Sequence, residues 1–186
     1  MSSTATRRAK VVAKVAELLG AAAIVSGGVR SSRTWPLKDQ QMPGLLVYAW
    51  DETKERIGRS TDDMQYRVLL TLAVDIRLQD RSRDTVEMDD ELERIAGRVC
   101  DVVMKSPDLL RPPMPGEDDT GGGLIEAINA VRTSFNISTK ESERALAHGR
   151  IAFEMQWTEQ YDLPRGYDCD DPSFAFAPRP ALPALV

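Results

Sequence analysis

Apolar residues recur three and four positions apart near the start of the chain. Val11, Val15, Leu18 and Leu19 fall on one side of residues 6–22, which predicts an amphipathic helix. Gly20 and the Gly27-Gly28 pair punctuate the next stretch, with a short extended piece expected around Ile24 and Val25. Residues 31–41 read as a loop held by Trp35-Pro36. The period then changes to two. After Pro43-Gly44, the apolar and aromatic run 45–50 has strand length, and residues 51–63 read as a charged turn. In residues 64–78, Leu70, Leu72, Val74, Ile76 and Leu78 alternate with Leu69, Thr71, Ala73, Asp75 and Arg77, so one strand face enters the core and the other is partly polar. The two runs are expected to pair as a hairpin.

Helical spacing returns after Asp84, an N-cap candidate with Glu87 at the reciprocal capping-box position. Met88, Leu92, Ile95, Ala96, Val99, Cys100 and Val103 share one stripe of a helix of about twenty residues that stops before Pro107. Residues 106–123, rich in proline and ending in Gly121-Gly122-Gly123, form a long loop of the kind that usually carries function. The triple glycine is no phosphate loop, because no Lys-Ser/Thr comes after it. Branched and aromatic content makes 124–137 a strand, and 145–161 a second one with Ile151, Phe153, Met155, Trp157 and Tyr161 on one face. His148 falls on the polar face, where a solvated or hydrogen-bonded surface role is expected. Five prolines after Asp162 forbid a central strand or a long helix. The chain therefore reads as a domain over residues 4–161 and a proline-rich C-terminal arm over 162–186.

The pattern gives an α+β fold: a mainly antiparallel or mixed sheet of about four to five strands, helices packed on one face, plus the extended arm. The 186 residues suit one domain with some chain to spare. No apolar window is long enough for a membrane span, and Lys14 and Glu17 interrupt anything like a signal-peptide core. Cys100 and Cys169 are too far apart in context for a disulfide framework, which suggests a reducing cytoplasm; Cys100 reads as a buried, inert thiol.

Chemistry is scarce. A single histidine rules out zinc sites built on two or more histidines and leaves little for a nucleophile system. Asp168, Asp170 and Asp171 flank Cys169 but lack the glycine and closing glutamate of a calcium loop, so no metal or cofactor is expected. Residues 1–33 hold six basic residues and one acidic one, whereas the rest carries 18 basic against 28 acidic. A body of that sign repels nucleic acid, and the basic side of the first helix is expected to be solvated.

The order and spacing of particular runs carry a resemblance. Arg33-Thr-Trp-Pro-Leu-Lys, then Met42-Pro-Gly-Leu-Leu-Val-Tyr, then Tyr66-Arg-Val-Leu-Leu-Thr-Leu-Ala-Val-Asp-Ile, an acidic helix, and Ile151-Ala-Phe-Glu-Met leading to Tyr161 resemble the tail terminator (tail completion) proteins of long-tailed bacteriophages. The resemblance spans residues 5–161 and departs from the family in the proline/glycine loop and the C-terminal arm. It implies a non-catalytic virion protein, made in the bacterial cytoplasm, that works at the tail–neck junction as a homo-hexameric ring. Such a ring caps the tail tube protein, stops its polymerisation and docks the head–tail connector or neck protein. Genomic DNA passes through its lumen without specific binding.

Within that reading, Trp35, Pro36, Leu37, Arg111, Pro112, Pro113, Phe174, Phe176 and Leu182 are candidates for subunit or partner contacts, since loops and arms commonly reach the next subunit. Asp51, Glu52, Glu55, Asp62 and Asp63 are candidates for an acidic lumen. Two alternatives remain: another neck or head-completion joining protein, and a small hydrolase using Asp75 and Glu154 as paired carboxylates.

Overall fold

Thr6 starts the first helix: its Oγ1 accepts from the backbone N–H of Ala9 at 3.3 Å, satisfying one of the donors a helix start leaves open. Helix α1 (Arg7–Ala21) buries Val11, Val15 and Leu19, one turn apart, as the spacing requires. The computed structural model describes residues 6–31, 42–58, 63–80, 85–110, 123–138 and 145–162. After α1 the chain turns at Ala23, which has φ 45°, and Gly28, with φ 82°, releases it into β1 (Val29–Arg30). The extended piece expected at Ile24 and Val25 is thus displaced by five residues. Those two side chains are buried under the turn instead.

Strands β2 (Gly44–Ile57), β3 (Asp63–Asp80), β4 (Ala127–Ser138) and β5 (Ala145–Asp162) complete a sheet of order β1-β2-β3-β5-β4. Only β1 pairs parallel, with β2; the other neighbours are antiparallel, so the sheet is mixed. β3 pairs along its whole length with β5 and lies at the centre. Helix α2 (Thr85–Met104) and α1 pack on one face of the sheet, where Leu45 and Val47 of β2, Val68 to Ile76 at alternate positions of β3, and Ile151, Phe153, Met155 and Trp157 of β5 make the core with them. The expected α+β fold, with helices on one face, is the observed one. No described helix is long and apolar enough to cross a membrane.

Several expectations need correction. Residues 51–63 are not a turn: β2 continues to Ile57, and Asp51, Glu52 and Glu55 are strand residues paired with Thr71, Leu70 and Arg67. Cross-strand partners and opposite charges hold this half of β2, which outweighs the poor strand propensity of its acids. The long loop begins with one helical turn, α3 (Pro107–Leu110). Pro107 opens it, and Leu109 drops fully buried into the core. The basic side of α1 is also less solvated than expected. Arg7 donates to the carbonyls of Leu124 (2.9 Å) and Thr158 (3.3 Å), Arg8 lies 3.8 Å from Glu52, and Lys14 reaches Asp108 at 3.0 Å. The Arg7 and Arg8 contacts compensate two cations in the first turn, where the helix dipole disfavours them. Cys100 is only partly buried, though burial and Asp101 still push its thiol pKa up.

Candidate functional site

The side of the sheet away from the helices carries the polar chemistry. On it, neighbouring strands bring Tyr48 beside Ala73, Asp75 opposite Arg150, and Arg77 opposite His148. Asp75 is 3% exposed and would be costly there alone. It accepts from Arg150 twice, Nε to Oδ1 at 2.7 Å and Nη2 to Oδ2 at 3.1 Å, and from the Tyr48 hydroxyl at 3.1 Å. The Arg77 guanidinium stands 3.8 Å away. His148 Nε2 lies 3.4 Å from Oδ2, close but without hydrogen-bond alignment. Arg150 in turn stacks over Trp50, its guanidinium carbon 4.2 Å from the ring centroid, and Trp50 stacks on Tyr48. Burial pushes the Asp75 carboxyl up, but the His148 and Arg150 side chains beside it more than offset this and hold it well below the usual carboxylate range.

A second cluster lies on the helix side, at the far end of the arm formed by β2, β3 and β5. Glu159 accepts from Lys54 (2.5 Å), Tyr161 (2.6 Å) and the indole N–H of the fully buried Trp157 (3.0 Å). Its pKa is lowered: burial acts upward, and Lys54, Tyr161 and Trp157 together act more strongly downward. A shallow cleft of about 360 Å³ opens beside it, floored by Arg7, Lys54 and Tyr161. Its charged groups are already committed to one another or to backbone carbonyls, so the cleft is an element of the fold's own bracing.

Neither cluster supports carboxylate catalysis of the kind weighed from the sequence. Asp75 is held ionised with both oxygens engaged. Glu154 sits four residues along β5 from Arg150, roughly 13 Å at strand rise, and pairs with Arg132 at 3.8 Å. Acid–base pairs of carboxylates work at separations below about 10 Å. Among the described residues no group of three or more His, Cys, Asp or Glu could hold a metal ion.

The acidic candidates do not form one patch. Strand alternation sends Asp51 and Glu55 to the open face and Glu52 to the helix face, where it meets Arg8 and Lys54. Asp63 begins β3, and Asp62 lies outside the described residues. Nor is the open face acidic: Asp51, Glu55, Asp75 and Glu154 share it with Arg30, Arg67, Arg77, Arg132 and Arg150. The exposed acids gather instead on the outer side of α2, at Glu87, Asp89, Asp90 and Glu93. The contact candidates Trp35, Pro36, Leu37, Arg111, Pro112, Pro113, Phe174, Phe176 and Leu182 all lie outside the described residues, as do Asp168 to Asp171 and the arm from residue 163.

No local pattern in the sequence marks Tyr48, Trp50 and Arg150 as one unit around Asp75. The signal of the site is a lone acid inside an apolar alternating strand, with a lone arginine in the strand that pairs with it. A scan against protein-family models finds no match for the chain, and a search of curated proteins finds none either.

Proposed function

We propose that this chain is a structural subunit that assembles as a homo-hexameric ring, caps the head-proximal end of a phage tail tube, stops its growth and docks the head–tail connector. The observation that carries the reading is the uneven use of the sheet. Core residues run along β3 and β5 as far as Val68 and Trp157, both fully buried, while β2 beside them is exposed at nearly every position from Trp50 to Ile57 and forms a charged border. A charged border strand carried on a packed sheet suits a subunit that must meet its neighbours, and no described pocket gathers reactive groups. The order of elements agrees with the terminator resemblance, on which the choice of this assembly rests.

The exposed acids of α2 give the ring a surface for its lumen. Like charge lets duplex DNA slide past without sticking, and the α2 face serves this better than the charge-balanced open face of the sheet. The working location would be the tail–neck junction of the virion.

The decisive experiment mixes the purified chain with polymerising tail tube subunit and measures tube length by electron microscopy. Shortened tubes bearing extra density at one end are expected. Elongation that continues unchanged overturns the capping role, and binding to the connector without any effect on tube length would assign the chain to the neck instead.

A further inference from the structure

The sheet ends in two strands that differ in character. β4 forms one border. Residues 131–136 are exposed at every position, Val131 and Phe135 on the helix side among them at 37% each. Over its twelve residues β4 has no proline and one charge, Arg132, with a single bulge between Ile128 and Ala130. Sheets in monomers protect their borders with short strands, charge or proline, because an unpaired backbone edge is a template for another strand. β4 has little of that protection. At the other border β1 pairs only Leu45 and Leu46 of β2, so from Val47 to Ile57 β2 has no second strand neighbour among the described residues. That stretch is the charged one, with Asp51 and Glu55 on the open face.

We infer that β4 of one copy pairs with the outer half of β2 in the next copy, so that the sheet continues head to tail through the assembly. This rests on the ring reading above and names the contact that builds it. Directions agree: within the chain β4 runs opposite to β2, so a neighbour related by rotation about an axis roughly along the strands presents β2 antiparallel to β4, as in most of this sheet. Charges agree as well. Arg132 lies on the open face of β4, the face on which β2 carries Asp51 and Glu55. Pairing of β4 with its own copy would use the same border twice and close a dimer, whereas two different borders on one subunit are what a closed ring needs.

Cross-linking between chosen positions tests this. In a full-length background carrying Cys100→Ala and Cys169→Ser, the open-face substitutions Thr53→Cys on β2 and Ser134→Cys on β4 are made singly and together, and a short bismaleimide is added. A ladder of multimers from the double variant, with neither single variant forming dimers, is expected. Dimers from Ser134→Cys alone overturn the proposal in favour of β4–β4 pairing, and the absence of a ladder at the highest soluble concentration overturns it outright. A second measurement uses Val131→Lys with Thr133→Lys, both at exposed positions. The assembly should fall to the mass of single chains while the unfolding midpoint holds. If those variants keep full mass and still cap tubes, the border pairing fails and the capping role stands; a ladder from a protein that leaves tube length unchanged has the opposite meaning.

Discussion

Asp75 shows how one buried charge organises its surroundings. Removing a carboxylate from water is unfavourable by several kcal/mol, and the attraction of one partner offsets this only with good geometry and with the remaining lone pairs satisfied. Arg150 supplies a bidentate pair, Tyr48 a third hydrogen bond, and Trp50 fixes the guanidinium plane from the other side. Arg150→Ala leaves the carboxylate uncompensated and should cost about 3–5 kcal/mol in chemical denaturation near neutral pH. Replacing both partners, Asp75→Leu with Arg150→Met, should cost less than Arg150→Ala alone, which a double-mutant cycle reads directly. The pH dependence has a definite sign. Because the folded carboxyl titrates below its unfolded value, its contribution is complete above about pH 5 and is lost progressively as the pH falls further. Asp75→Asn should flatten that acid limb of the stability curve, and an unchanged limb would mean that other carboxylates set it.

Elements were legible where one face alone meets the core. The alternation of β3 and the stripe of α2 survive intact in the structure because every second strand residue, or every third to fourth helix residue, has a buried partner. Val74 is fully buried at the centre of that face, so Val74→Asp should unfold the domain, as a missing thermal transition would report. Legibility failed where partners distant in sequence do the work. Nothing local in residues 51–57 announces a strand; Arg67, Glu159 and Arg8, brought up by β3, β5 and α1, make it one. The same is true of α3, whose single turn depends on Leu109 reaching the core and on Lys14 of α1 pairing with Asp108. Leu109→Ala should therefore cost roughly 2–5 kcal/mol, like other buried leucines, despite lying at the head of a segment that reads as loop. Likewise the Asp75 site was half visible: a lone acid inside an apolar alternating strand marks it, but Arg150, Tyr48 and Trp50 join it only through the registers of β5 and β2 against β3.

Charge and core packing meet at the scale of the whole molecule. The basic N-terminal helix and the acidic remainder, so distinct along the sequence, are interleaved in space: Arg7 donates to carbonyls, while Arg8 and Lys14 pair with acids of β2 and α3. The acidity left over is concentrated on α2. The helix-side core is assembled from residues between Val11 and Trp157, and its large side chains touch one another across α1, α2 and the central strands. Trp157, among the largest of them, sits five residues before the end of β5 at Asp162. A chain ending after Asp162 should therefore keep its helix-side core. Its unfolding free energy should stay within about 0.5 kcal/mol of the full chain, the range of surface changes. Its assembly should respond differently. If residues 163–186 act as an arm that docks on a neighbour through Phe174, Phe176 and Leu182, the shortened chain should form weaker rings or cap tubes less completely while melting normally. Light scattering and a thermal scan on the same sample separate the two effects, since a shortened chain that fails to fold would make the arm part of the domain, and one that assembles unchanged would remove it from the contacts.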